Sequence, residues 1–189
     1  GEIPSEIGNL TELSNLYLYD NDLSGNLPSE IGNLTNLWNL DLKGNRLSGN
    51  IPSEIGNLTT LRVLYLSDND FTGEIPPEIG NLTELEQLYL QDNELIGEIP
   101  PEIENTNLGY IYLHDNLLTG IIPEEICEIG WSQRRLWNNM FCSPYPNCLT
   151  QDQVGSQDTS ECIEYQLGDV NMDESIDILD IVVGINILL

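Results

Sequence analysis

Residues 10–33 read LTELSNLYLYDNDLSGNLPSEIGN, and the same pattern begins again at Leu34, Leu58 and Leu82 with constant spacing. Self-similarity at a fixed period of a few tens of residues is typical of a stacked solenoid. A single unit cannot bury its own apolar face, so its neighbours complete the core. The repeat therefore predicts an elongated fold for most of the chain.

The composition limits the classes of partner. The chain has 189 residues, 40% of them hydrophobic, which suffices for one elongated domain and a small appendage. Five lysines and arginines stand against 32 aspartates and glutamates, a formal net charge of -27. Such a surface repels phosphate backbones and anionic lipid headgroups, so we expect no nucleic-acid partner. We also expect no membrane span in this sequence, because the apolar stretch 176–189 is too short and contains aspartates.

Each unit contains a short segment in which apolar and polar residues alternate, and this pattern predicts a half-buried strand. The inward pairs are Leu16 and Leu18, Leu40 and Leu42, Leu64 and Leu66, Leu88 and Leu90, and Ile111 and Leu113. An asparagine follows each strand, where a buried side-chain amide can satisfy backbone groups at the turn. These residues are Asn21, Asn45, Asn69, Asn93, Asn116 and Asn139. We expect this row to be structural and not to bind a ligand.

The pattern L-x-x-L-x-L-x-x-N-x-L-x-G-x-I-P resembles the plant-type subfamily of leucine-rich repeats over residues 1–148. The resemblance implies an α/β fold, a right-handed leucine-rich repeat solenoid with a parallel sheet on its concave face. The sequence begins within a repeat, so we expect an amino-terminal truncation. The units lose regularity near Asn105, and Arg134 falls where an inward leucine is expected, which predicts a degenerate capping unit. Residues 149–166 are polar and predict a cap extension and linker without a core.

The four cysteines cluster after the last regular repeat, at Cys127, Cys142, Cys148 and Cys162. An even number in one short region favours two disulfides and an extracellular or cell-surface location. Zinc is the alternative, but the sequence lacks paired short cysteine spacings, and its one histidine, His114, lies outside the cluster. Alignment of the units places Cys127 and Cys148 at nearly the same point of consecutive coils. We therefore favour pairing Cys127 with Cys148 and Cys142 with Cys162, while other pairings stay open.

The outward strand positions form a candidate binding site on the concave face. Aromatic and polar side chains recur there in two adjacent columns, and the candidate residues are Tyr17, Tyr19, Asp41, Tyr65, Tyr89, Tyr112, His114 and Trp137. Tyrosines spaced by one strand separation, bordered by aspartates, can stack on and hydrogen-bond an extended protein segment or glycan. The alternative is that repeat duplication copied a tyrosine that favours β-structure and covers the sheet.

Residues 169–180, DVNMDESIDILD, predict a calcium (Ca²⁺) site. Oxygen-bearing residues occupy loop positions one, three, five, seven, nine and twelve; these are Asp169, Asn171, Asp173, Ser175, Asp177 and Asp180. The stretch 168–189 also resembles the dockerin type I repeat, which implies an EF-hand-like loop and helix over residues 167–189 and a cohesin-like partner. Glu174 stands where the sharp turn favours glycine, and one loop is present instead of the usual two. The alternative is an acidic helix N-terminus without an ion.

These patterns predict a secreted or cell-surface binding scaffold and no enzyme. His114 and Asp115 are adjacent, but the repeat places no nucleophile beside them, and most glutamates occupy repeated outer positions. The dockerin resemblance implies a link to polysaccharide breakdown by association. The alternatives are the ectodomain fragment of a receptor-like signalling protein and a non-catalytic appendage of a larger extracellular hydrolase.

Overall fold

The chain winds into successive coils, and a computed structural model describes residues 1–127, 133–160 and 162. In chain order the strands are β1 (Asn15–Tyr17), β2 (Ser24–Asn26), β3 (Asn39–Asp41), β4 (Arg46–Asn50), β5 (Val63–Tyr65), β6 (Asp70–Thr72), β7 (Gln87–Tyr89), β8 (Ile96–Gly97), β9 (Tyr110–Tyr112), β10 (Leu117–Ile121), β11 (Gln133–Arg135) and β12 (Met140–Cys142). Short 3-10 helices occupy Ser5–Asn9, Ser29–Asn33, Ser53–Asn57, Pro77–Asn81, Pro101–Asn105 and Glu124–Cys127, and one α-helix, α1, spans Gln151–Val154. None of the helices in these ranges is long and apolar enough to cross a membrane.

One strand from each coil joins a six-stranded parallel sheet in the order β1-β3-β5-β7-β9-β11. The register stacks inward positions directly, for example Leu40 on Leu64 and Leu64 on Leu88. These leucines are fully buried, and each contributes about 1.5–3 kcal/mol of apolar burial. Two three-stranded parallel sheets, β2-β4-β6 and β8-β10-β12, lie later in the coils. The predicted solenoid with one strand per unit is confirmed, and its concave face is the solvent-facing surface of the six-stranded sheet.

The asparagine after each strand joins its own coil to the preceding one. Asn69 Nδ2 donates to the carbonyls of Leu66 and Ser67 in its own coil and to the carbonyl of Leu42 at 3.0 Å in the coil before. Asn69 Oδ1 accepts from the amide of Leu47 at 3.0 Å. The same set of bonds recurs at Asn45, Asn93, Asn116 and Asn139. These five asparagines are therefore structural, as the sequence predicts, and we call them the asparagine ladder. Asn21, the sixth predicted member, is exposed and bonds to carbonyls of its own coil.

The glycine of each I-G-N triplet permits the close approach of neighbouring 3-10 helices. A Cβ at Gly56 would lie 2.6 Å from the carbonyl oxygen of Glu78 in the next coil. A Cβ at Gly8 would lie 2.7 Å from that of Glu30. Real Cβ atoms do not approach this closely, so the coil spacing requires glycine at these positions.

The C-terminal end of the solenoid is closed by two disulfides and by α1. The structure pairs Cys127 with Cys148 and Cys142 with Cys162, which are the pairings that we expected from the aligned units. Arg134 occupies the inward position of β11, in register with Ile111, and is buried there. The predicted degeneracy of this last coil is therefore present.

The stretch after Cys148 corrects one expectation, because it has a packed core contact. Val154 of α1 is only 2% exposed, and the amide of Leu136 donates to the carbonyl of Gln153 at 2.9 Å. Gln157 completes the asparagine ladder. Its Oε1 accepts from the amide of Phe141 at 3.2 Å, and its Nε2 donates to the carbonyl of Leu136 at 3.0 Å. The prediction of a linker without a core is wrong here, since a polar composition concealed a ladder amide and one buried valine.

Replacing a ladder asparagine should destabilise the fold strongly. Asn69→Ala leaves the buried amide of Leu47 without an acceptor, so we expect the free energy of unfolding to fall by about 2–3 kcal/mol in a urea titration. Asn21→Ala is the matched control, because the Asn21 side chain is exposed and bonds only to carbonyls of its own coil. Its cost should stay below about 1 kcal/mol. Equal losses in the two variants would contradict the ladder.

Candidate functional site

Three tyrosines form a continuous aromatic row on the concave face. Tyr65, Tyr89 and Tyr112 are register partners at the ends of β5, β7 and β9. Their ring centroids are 4.5 and 4.6 Å apart, with interplanar angles of 89° and 72°. Edge-to-face pairs of this kind contribute about 0.5–1.5 kcal/mol beyond area burial. The parallel register of the sheet thus sets the ring spacing.

The row continues into a cationic and aromatic end formed by the last two coils. The Arg135 guanidinium carbon lies 4.4 Å from the ring centroid of Tyr112 and 5.6 Å from that of Trp137. His114 stacks on Trp137 with centroids 4.5 Å apart. Cation–π and stacking contacts fix these side chains relative to one another. We call Tyr65, Tyr89, Tyr112, His114, Arg135 and Trp137 the aromatic cluster.

Two tyrosines of the row donate hydrogen bonds, and two have raised pKa values. The Tyr65 hydroxyl donates to Gln87 Oε1 at 2.7 Å, and the Tyr112 hydroxyl donates to Gln133 Oε1. Burial and neighbouring phenols raise the pKa of Tyr89 to about 12, and burial also raises the pKa of Tyr65. Tyr65 and Tyr89 therefore stay protonated at physiological pH.

A row of aspartates borders the cluster at the turn after each strand. These residues have left-handed backbone, with φ of 50° at Asp20, 55° at Asp68, 57° at Asp92 and 55° at Asp115. Gly44 and Asn138 take the same position in other coils, with φ of 67° and 51°. Glycine, asparagine and aspartate tolerate this conformation best. The turn thus restricts the residue type, and in four coils it presents a carboxylate.

The aspartates do not titrate alike. Burial, followed by the charges of Asp68 and Asp115, raises the pKa of Asp92. Burial also raises the pKa of Asp41, although the amide and charge of Lys43 oppose it. Asp115 shows the opposite shift. Burial alone would raise the pKa of Asp115. Hydrogen bonds donated by Asn138 at 2.7 Å and His114 at 2.6 Å outweigh this effect and lower the pKa.

An open depression of about 440 Å³ is lined by every residue of the aromatic cluster except Trp137, and by Asp68 and Asp92 of the aspartate row. Asp92, His114 and Asp115 have potential metal-ligand atoms within 4.8 Å of one another, and within the described ranges this is the group that could hold a cation. His114 Nδ1 is already paired with Asp115 Oδ2. An exposed acidic cluster of this kind does not by itself indicate a metal, so the depression is described better as an acidic, aromatic surface.

The structure brings together five of the eight residues predicted for the concave face, namely Tyr65, Tyr89, Tyr112, His114 and Trp137. Tyr17 and Tyr19 are exposed at the other end, and Asp41 of β3 separates them from Tyr65. Asp41 and Lys43 occupy the two columns in that coil, so the ring contacts do not extend to Tyr17 and Tyr19, and the ligand-binding role of the eight residues stays a prediction. Arg135 was missed as a site residue, although its place in the tyrosine column was a signal.

The predicted calcium ligands Asp169, Asn171, Asp173, Ser175, Asp177 and Asp180 lie outside the described residues.

A second groove, of about 1200 Å³, runs along the ends of the 3-10 helices. Its walls repeat the same three residue types in each coil, for example Gly32, Asn33 and Thr35. The close packing of coils at the glycines produces this shape. The groove contains neither an aromatic nor a charged side chain, so it offers less chemistry for recognition than the aromatic cluster.

Removing the charge of Asp92 should stabilise the protein at neutral pH. Because the pKa of Asp92 is raised in the folded state, the ionised carboxylate opposes folding. The free energy of unfolding therefore falls as the pH rises through the folded-state pKa of Asp92. Asp92→Asn keeps a residue type that Asn138 shows to fit the turn. We expect a higher melting temperature at pH 7 and no difference near pH 3. Asp115→Asn, with its lowered pKa, should have the opposite sign at pH 7, and a stabilisation by both variants would contradict this electrostatic account.

Comparison with known proteins supports the repeat architecture directly. The family model "Leucine Rich repeats (2 copies)" matches residues 59–105, and the model "Leucine Rich Repeat" matches residues 12–34, 36–58 and 107–129. Together these matches cover more than half of the chain. No curated protein sequence matches it.

Three solved structures show how far the similarity extends. The structure of PEPR1-AtPEP1 is 40% identical in sequence to this chain and superposes with a TM-score of 0.76. The match covers 82% of this chain and 22% of the chain in that structure. The Arabidopsis receptor kinase HAESA ectodomain, in complex with a peptide hormone ligand, is 37% identical with a TM-score of 0.76 and covers 82% and 27%. The BIR2 ectodomain from Arabidopsis thaliana is 34% identical with a TM-score of 0.60 and covers 76% and 66%. The chain thus spans about a quarter of the length of the first two. On its repeats, its fold and these matches, the chain belongs to the leucine-rich repeat family.

Proposed function

We propose that the chain is an extracellular, non-catalytic scaffold whose concave face binds an extended, basic polypeptide. The observation that carries this proposal is the aromatic cluster with its aspartate border. The row of rings is built by successive strands, so it matches a ligand that lies across several coils. Pre-ordered aromatic side chains lose little conformational entropy on binding and supply large apolar contact area.

Charge indicates the character of the ligand. The chain carries a formal net charge of -27, and Asp68 and Asp92 line the depression together with Asp115 at its border. A basic polypeptide would be attracted over long distances and would reduce the mutual repulsion of these carboxylates. Lys43 and Arg135 leave two cationic points in the same depression, which suit an acidic or carboxylate group within an otherwise basic segment.

A polypeptide is favoured over a glycan by the relatives. The HAESA ectodomain is described in complex with a peptide hormone ligand, and it is similar to this chain over 82% of its length. The same comparison favours the ectodomain fragment of a receptor-like protein over an appendage of a hydrolase. The two disulfides support an extracellular location, because such bonds persist in oxidising compartments.

The binding proposal predicts the effect of removing two rings. An array of synthetic peptides of basic, neutral and acidic composition, together with soluble polysaccharides, serves as the probe. We expect basic peptides to bind. The double variant Tyr65→Ala, Tyr89→Ala should bind these peptides with an affinity lower by about 30-fold or more, which corresponds to the loss of about 2 kcal/mol at a binding hot spot. Trp38→Ala is the control, because Trp38 is an exposed aromatic residue outside the cluster. Binding of polysaccharides alone, or equal effects in both variants, would contradict the proposal.

We also propose that residues 169–180 bind one calcium ion and tether the scaffold to a cohesin-like partner. The support is the alternation of oxygen-bearing side chains in that stretch, which matches the donors that a hard divalent cation requires. The proposal concerns residues outside the described ranges and rests on the sequence.

Calorimetry of the full chain with calcium tests this site. We expect one binding event that is lost in Asp169→Ala and in Asp173→Ala, because each removes a carboxylate ligand. Asp92→Asn is the control, since it alters the acidic group on the concave face without touching residues 169–180. No heat in the unmodified chain, or loss of binding in Asp92→Asn alone, would overturn the calcium site.

A further inference from the structure

Exposed apolar side chains lie on the outer surface of the β8-β10-β12 sheet. Ile96 of β8 and Leu117 of β10 are register partners, and each is 46% exposed. Ile121, at the other end of β10, is 57% exposed. We call these three residues the apolar patch. Clustered exposed apolar residues of this kind commonly mark a contact surface.

The repeat pattern shows that the patch is specific to the last coils. The position of Leu117, directly after the ladder asparagine, carries Asp22, Arg46, Asp70 and Glu94 in the preceding coils. The position of Ile96 carries Ser24, Ser48 and Thr72, and that of Ile121 carries Asn26, Asn50, Glu74 and Glu98. Solvent-facing polar positions thus become apolar only near the C-terminal end. Repeat duplication does not explain this change, because duplication would have preserved the polar residues.

The second disulfide holds the outgoing chain beside the patch. Cys142 of β12 is the register partner of Ile121. Cys142 is bonded to Cys162, with Cα atoms 5.6 Å apart. Cys162 is therefore bonded to the strand that neighbours Ile121. A tether of this kind gives the following residues a high effective concentration at the surface.

The sequence that follows has the complementary character. Residues 181–189 read IVVGINILL and contain no charged side chain. Residues 163–168 alone can extend to roughly 20 Å, at about 3.3 Å per residue, so the segment can return toward the patch while residues 169–180 form the proposed calcium loop. Glu94 and Glu98 lie two residues on either side of Ile96, which disfavours contact of the patch with the acidic residues 169–180 but not with the uncharged segment.

We propose that residues 181–189 pack against the apolar patch. The contact would cover apolar surface on both sides, which is the main driving force for such packing. The patch belongs to a different sheet from the concave face, so the aromatic cluster stays accessible to its ligand. This inference does not depend on the proposed polypeptide binding.

Hydrogen exchange of the full 189-residue chain tests the contact. We expect amides of residues 181–189 to exchange at least about 10-fold more slowly than unprotected amides. The triple variant Ile96→Thr, Leu117→Glu, Ile121→Glu should abolish that protection. Each replacement is the residue that the preceding coil carries at the same position, namely Thr72, Glu94 and Glu98, so the coils should fold. Trp38→Glu, which changes an exposed apolar residue outside the patch, should leave the protection unchanged.

Three results would overturn the proposal. The first is unprotected exchange of residues 181–189 in the unmodified chain, and the second is protection that persists in the triple variant. The third is protection that disappears on dilution together with dissociation of a dimer, because a second copy would then cover the patch. Amides of β3, β5 and β7 report whether the triple variant is folded. If they lose protection, the single variant Leu117→Glu provides the same comparison.

Discussion

The side-chain amide of the ladder asparagine is the interaction on which the rest of the structure depends. Each coil must leave the sheet within a few residues of its strand, and this exposes carbonyls and an amide from two successive coils. One asparagine satisfies them together, as Asn69 does with the carbonyls of Leu42, Leu66 and Ser67 and the amide of Leu47. Unsatisfied buried groups would cost about 1–3 kcal/mol each, so the amide enforces both the turn and the spacing of the coils. At the C-terminal end Gln157, three residues after α1, makes the equivalent bonds to Phe141 and Leu136.

This fixed spacing brings side chains of successive coils into contact on the concave face. Because inward leucines and ladder asparagines hold the strands in register, Tyr65, Tyr89 and Tyr112 contact one another before any ligand arrives. The degenerate last coil adds what the regular units lack, namely Arg135 over Tyr112 and Trp137 stacked on His114. The regular coils thus supply a row of tyrosines at fixed spacing, and the irregular coil adds a cationic and an aromatic side chain that the repeat does not provide. The left-handed backbone at the turn favours aspartate in the border. The carboxylates in turn make the local electrostatic potential negative.

Most of the fold could be predicted from the sequence because each coil repeats the same short-range requirements. Leu64, Asn69 and Gly56 recur at fixed spacing, and each has one dominant structural reason. The site was less predictable, because contact between rings depends on the side chain in every intervening coil. Asp41 interrupts the tyrosine column, and this separates Tyr17 from the cluster. The role of Gln157 was also hidden, since an amide sixteen residues after Phe141 lies outside the repeat spacing. The calcium loop stays a prediction from the pattern of oxygen-bearing residues.

The central claim is that an extended basic polypeptide lies on the aromatic cluster. Fluorine NMR of the chain with fluorinated tyrosine tests it most directly, because the chain has eight tyrosines and three of them form the aromatic row. On titration with a basic peptide selected from the array, the account predicts that the resonances of Tyr65, Tyr89 and Tyr112 shift together with one dissociation constant. Tyr145, in the cap, should not respond. Shifts confined to tyrosines outside the cluster, or saturable binding with no shift in these three, would contradict the account.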